Sequence, residues 1–111
     1  MTTRDAITIV REYFRKCLCA DPARIYDYVH ESFSGNVSGR DRDSLKKVIV
    51  DMLKAYPGLD VDIVKIFAVD DQVALHAAFH QNGKSIMRMT AIFRLEDGLI
   101  IESWTNSDSF V

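Results

Sequence analysis

Tyr13, His76 and His80 are the side chains of this sequence best suited to handle a proton beside an apolar molecule. An imidazole near its ordinary pKa gives and takes a proton around neutral pH. A tyrosine hydroxyl donates a hydrogen bond that orients and polarises a carbonyl. Tyr13 and His76 within hydrogen-bond reach would suit enolisation of a ketone, with Tyr13 polarising and His76 moving the proton. Met52, Met87 and Met89 are unbranched thioethers that can form an adaptable wall around such a ligand.

Other chemistries lack their residues. No His, Cys and Asp spacing supports a metal, no glycine-rich loop could cradle a phosphate, and no serine sits in a nucleophile elbow. No metal and no cofactor is therefore expected. Cys17 and Cys19 are two apart in a helical segment, point about 200° from each other and cannot share a bond or an ion. Arg40-Asp41-Arg42-Asp43 reads as the solvated start of a helix, and Asp60 and Asp62 as solvent-facing strand residues.

The elements that must position these groups are helical first and extended second, the order of an α+β domain. Ile7, Val10, Phe14 and Leu18 repeat at three- and four-residue spacing and predict a helix over 5–19. Asp21-Pro22 is a cap followed by a first-turn proline, opening a second helix to about residue 32. Residues 34–40, with glycines and serines around Val37, read as a loop with at most one short strand. Asp41 or Asp43 can cap a third helix reaching residue 55, with Leu45, Val48, Ile49, Met52 and Leu53 on its apolar face. Strands are predicted over 59–69, 73–81, 84–95 and 99–107, separated by Asp70-Asp71, Asn82-Gly83 and Glu96-Asp97-Gly98. The picture is three helices against a four-stranded antiparallel meander.

Hairpin register decides which side chains meet. A two-residue Asn82-Gly83 turn sets Ala78 opposite Met87, His76 opposite Met89 and Ala74 opposite Ala91. His76, His80, Met87, Met89, Ala91 and Phe93 then share the inward face. The strand over 73–81 read alone gives the reverse, with Val73, Leu75, Ala77 and Phe79 as its buried set. Both hold only if the outer face is covered too, as in a homodimer built sheet to sheet. A one-residue slip would turn every side chain over. At the last hairpin, a three-residue loop ending in a left-handed Gly98 puts Ser103 and Thr105 inside and Trp104 outside. A two-residue loop would put Trp104 inside.

The chain has 111 residues, 48% of them hydrophobic, and a formal charge of −2. That suits one folded domain over 1–111. With no basic block it is not expected to bind nucleic acid, and with no apolar run near 18 residues it is not expected to span a membrane. The start, Met1 to Asp5, lacks the apolar core of a secretory signal, so the cytoplasm is the expected location.

Tyr56-Pro57-Gly58-Leu59 and the segment from Ile92-Phe93-Arg94-Leu95 through Glu96-Asp97-Gly98 to Ser103-Trp104, after the helical half, resemble the SnoaL-like proteins. These belong to the nuclear transport factor 2-like superfamily, with its polyketide cyclases and ketosteroid isomerases. The resemblance implies a cone of three N-terminal helices packed on a strongly curved antiparallel sheet, an apolar pocket and frequent dimers. It implies that Tyr13 matches the isomerase tyrosine that donates to a developing enolate. The isomerases' acidic partner falls on Ala91, their general base in the stretch 34–39, which has no carboxylate, and the cyclases' acid/base on Thr105. The expectation is a pocket for a small, largely apolar molecule, walled by His80, Met52, Met87, Met89, Ala91, Phe93, Ser103 and Thr105. Tyr13 and His76 would act in an isomerase or cyclase; the alternative is a non-catalytic binding or dimerisation module.

Overall fold

The structure, a computed structural model, describes residues 3–36 and 40–109. Helix α1 spans Thr3–Glu12 and continues as a wider π-helical winding over Tyr13–Leu18. There the Cys19 N–H donates to the Phe14 carbonyl at 3.0 Å and Asp21 N–H to Lys16 at 3.3 Å, both five residues back. The looser winding turns the adjacent pairs Tyr13-Phe14 and Cys17-Leu18 to the core together. Burial pushes the Cys17 and Cys19 thiols up to about 12.

Asp21 caps the next turn as expected, accepting from the Ala23 N–H at 3.1 Å. The helix it opens is shorter than the sequence suggested. A 3₁₀ turn over Pro22–Arg24 passes into α2, Ile25–Tyr28, and the chain then extends as β1, Val29–Gly35. Val29 and Phe33 are buried there, and β-branched Val29 takes strand dihedrals of −118° and 130°. Of the expected loop over 34–40, Ser34 and Gly35 belong to β1, and residues 37–39, around Val37, lie outside the described residues. Helix α3, Arg42–Ala55, begins at an Asp41–Ser44 capping box.

Strands β2 (Asp60–Val69), β3 (Gln72–Gln81), β4 (Lys84–Glu96) and β5 (Leu99–Ser109) form the expected meander. Strand β1 adds to its far edge, parallel to β5, so the sheet is five-stranded and mixed, in the order β1-β5-β4-β3-β2. The architecture is α+β, with three helices packed on a curled sheet. Three one-residue irregularities bend the meander. Val64, Ile86 and Ile101 are each skipped by the pairing of their strands, and such bulges increase local twist.

The bulge at Ile86 overturns the predicted register. Gln81 pairs with Lys84 and His80 with Ser85, as a two-residue turn requires, but beyond Ile86 the partners are Phe79–Met87, Ala77–Met89, His76–Thr90 and Leu75–Ala91. The buried set of β3 is thus Val73, Leu75, Ala77 and Phe79, and His76 and His80 point away from the helices. At the last hairpin the turn is two residues, Asp97-Gly98, both with positive φ, which suits glycine at the second position. The bulge at Ile101 restores the inward placement of Ser103 and Thr105, paired with Phe93 and Ala91, and leaves Trp104 outside. No helix among the described residues is long and apolar enough to cross a membrane.

The core lies between the helices and the inner sheet face. Phe14 is fully buried, its ring 5.9 Å from Phe93 and 6.2 Å from Phe79. Phe14→Ala should cost about 3–5 kcal/mol, read as a lower urea midpoint at unchanged slope; a loss under about 1 kcal/mol would contradict this packing. The Asp41 carboxyl is held below the usual range by the Ser44 hydroxyl and N–H. The cap's stabilisation is therefore complete above the ordinary aspartate pKa of about 3.9 and is lost as pH falls through the lower folded value. Thermal stability between about pH 6 and pH 2 should fall less steeply for Asp41→Asn than for the native chain; equal slopes would refute the assignment.

Candidate functional site

A cavity of about 200 Å³ opens between the helices and the inner sheet face. Tyr13, Phe14 and Leu18 enter it from the π-helical segment. Leu45, Val48, Ile49 and Met52 enter from α3, at spacings of three and four. Phe79, Met87, Met89 and Phe93 line the opposing strands, and Phe33 and Ile100 also border the space. Ser103, Thr105 and Ser107 of β5 lie at alternate positions, so all three hydroxyls share one wall. No charged side chain borders the cavity among the described residues.

Tyr13 is the titratable group on this wall. Its residue is 3% exposed, and its ring stands edge-on to Phe93 at 6.2 Å and Phe14 at 5.4 Å. Burial first, then the nearby Cys17 and Cys19, pushes its phenol far above the ordinary value. Near neutral pH it is a hydrogen-bond donor and never a base. Its hydroxyl has no hydrogen-bond partner among the described residues. The phenol borders the cavity, where it can donate a hydrogen bond to an oxygen of a bound molecule.

Asn36, which the sequence did not single out, fixes the β5 wall. Its side chain accepts from the Thr105 N–H at 2.9 Å and donates to the Thr105 carbonyl at 3.3 Å. This continues the sheet pairing where β1 has ended. Ser107 also escaped notice, although its two-residue spacing from Ser103 and Thr105 was the available signal.

The structure brings together Tyr13, Met52, Met87, Met89, Phe93, Ser103 and Thr105. Ala91 is on the inner face and 3% exposed but does not border the cavity. The histidines are elsewhere, which corrects their expected inward placement. His76 lies in a trough of about 700 Å³ on the outer sheet face, with Lys65, Phe67, Ile92 and Trp104. His80 is on the same outer side, its Nε2 3.3 Å from an Asp62 carboxylate oxygen. Tyr13 and His76 are thus separated by the sheet itself. Near the β4–β5 turn, ligand atoms of His30, Glu96 and Asp97 lie within 4.8 Å of one another. The Ser32 N–H donates to His30 Nδ1 at 3.0 Å. A neutral ring accepting there carries its proton on Nε2, so neither nitrogen keeps a lone pair for a cation.

Solved structures share this fold at low identity. A candidate polyketide cyclase from Bacillus cereus ATCC 10987 superposes with a TM-score of 0.81 at 20% identity, over 94% of this chain and 74% of that one. IdmH of Streptomyces antibioticus, a candidate polyketide cyclase, gives 0.77 at 20% identity, over 97% and 93%. A candidate isomerase of the SnoaL-like family from Agrobacterium tumefaciens gives 0.80 at 12%, over 96% and 99%. No curated protein sequence matches the chain significantly. The family model for the SnoaL-like domain matches residues 10–103. That match takes in the Tyr13 segment, α3 and the whole meander as far as Ser103, and the chain belongs to the SnoaL-like domain family.

Proposed function

We propose that this chain binds a small, uncharged, largely apolar molecule in the cone cavity, with Tyr13 donating to a carbonyl or hydroxyl oxygen of the ligand. The placement of the Tyr13 phenol, held in its protonated form by burial, on the wall of this cavity carries this reading. The absence of charge on the cavity wall among the described residues supports a neutral ligand, because an unpaired ion would lose its hydration there without compensation. Ser103, Thr105 and Ser107 supply further donors and acceptors along one edge.

A catalytic reading is favoured by one property of the same group. A phenol held in its protonated form polarises a carbonyl and stabilises the charge that develops on its oxygen. That is the assistance an isomerase or cyclase working at a ketone needs. In this reading His76 takes no part, Tyr13 supplies the electrophilic half of the step, and the proton leaving the carbon beside the ketone passes to water admitted to the cavity, since no base borders it among the described residues.

The outer face supports a second copy of the chain as partner. Phe67, Ala74, Ile92 and Trp104 are directly paired across four strands. Phe67 is 56%, Ile92 44% and Trp104 48% exposed. The next paired row toward the last hairpin holds Arg94 and Glu102, which are hydrogen-bonded to each other. An apolar centre with a charged margin has the composition of a protein interface, and a face of one repeated surface suits an isologous homodimer.

With 2-heptanone as probe, Tyr13→Phe should weaken binding about five- to ten-fold, the worth of one hydrogen bond, by titration calorimetry. Equal affinities would remove Tyr13 from the site. Deuterium uptake at the carbon beside the ketone should be faster with the native protein than with Tyr13→Phe; no acceleration by either would leave binding without catalysis. Trp104→Glu should sediment as a monomer under conditions where the native chain sediments as a dimer; a native monomer at all concentrations would end the dimer reading.

A further inference from the structure

Behind the main cavity lies a second hollow of about 60 Å³, lined by Met52, Tyr56, Leu59, Phe79, Ile86 and Met87. The two spaces share Met52, Phe79 and Met87 as their common wall. Phe79 is 1% exposed and packed against Phe14, so it is fixed. Met52 and Met87 are only partly buried and pack at the margin of the core. Each has an unbranched side chain with three rotatable bonds, and a rotamer change there needs no backbone movement.

The hollow is a product of the bulge in β4. Ile86 is skipped in the pairing with β3, so Ile86 and Met87 both face inward although they are consecutive. In a regular strand one of them would face out. The hollow also sits at the far end of the site from its polar group. Tyr13 packs on Phe93, and Met87 lies six residues along the same strand toward the β3–β4 turn.

We infer that Met52 and Met87 form a movable partition, and that the space behind it is a subsite for the apolar tail of an elongated ligand. The ligand's polar head lies at Tyr13 and its unbranched tail runs along β4 toward Ile86, Leu59 and Tyr56. This inference rests on the pocket reading above and adds the ligand's shape to it. A hollow of 60 Å³ has the volume of roughly two water-sized groups, so it extends the accepted chain by about two carbons.

The test is a series of linear 2-alkanones, from 2-pentanone to 2-undecanone, titrated calorimetrically into the full chain. Affinity should rise about four-fold per methylene, the transfer of one buried CH₂, up to a limiting length. Met52→Ile/Met87→Ile keeps the volume but stiffens both side chains at χ1, and should shorten that limit by about two carbons. Met87→Ile alone gives the same reading where the double variant folds poorly. Ile86→Ala, which widens the hollow, should lengthen the limit. Tyr13→Phe should weaken every member alike without moving it. An identical limit in the native chain and the stiffened variants overturns the partition while leaving the pocket. Failure of every ketone to bind overturns the pocket reading, and the partition with it.

Discussion

The inside of this protein is decided by a single extra residue in β4. Ile86 shifts the pairing so that Phe79 meets Met87 and Ala77 meets Met89. All four then face the helices, with Met87 and Met89 against the cavity. Without the bulge, the turn register would set His76 opposite Met89 and Ala78 opposite Met87, so the apolar sets of β3 and β4 would fall on opposite faces. The irregularities at Val64 and Ile101 act in the same sense, curling the sheet so that one face closes on the helices.

A curled sheet cannot be filled as a flat one can. Helix α3 and the π-helical segment cover the inner face with large side chains, yet about 200 Å³ stays open between them. Protein interiors otherwise approach crystalline density. Such a space costs packing energy, and the aromatic cluster of Tyr13, Phe14, Phe79 and Phe93 maintains it by rigid contact on several sides. The π winding matters because a regular α-helix would spread Tyr13, Phe14, Cys17 and Leu18 over a wider arc, whereas here all four are buried.

Most of the architecture was legible in the residues. The apolar spacing of the helices, the Asp21 and Asp41 caps and the Asn82-Gly83 turn each lie where local chemistry demands. The resemblance through Ile92 to Trp104 supplied the closed shape. Of the candidate site residues, Tyr13, the three methionines, Phe93, Ser103 and Thr105 border the cavity. What escaped was non-local. A bulge leaves no mark in composition, because Ser85-Ile86-Met87 reads as an ordinary strand. The clean alternation of Val73, Leu75, Ala77 and Phe79 did carry the right answer, and it conflicted with turn geometry only under the assumption of an unbroken ladder. Strand β1 was missed because its pairing partner lies some 70 residues away, at Ile100 and Ser103.

The chain's two sulfhydryl groups have a practical corollary. Both are held as neutral thiols at ordinary pH, since Cys17 and Cys19 are pushed up to about 12, and alkylating reagents attack the anion. The native pair therefore presents little thiolate and reacts more slowly with maleimides and iodoacetamides than an exposed cysteine of ordinary pKa. A single cysteine engineered at an exposed position is labelled ahead of the natural pair.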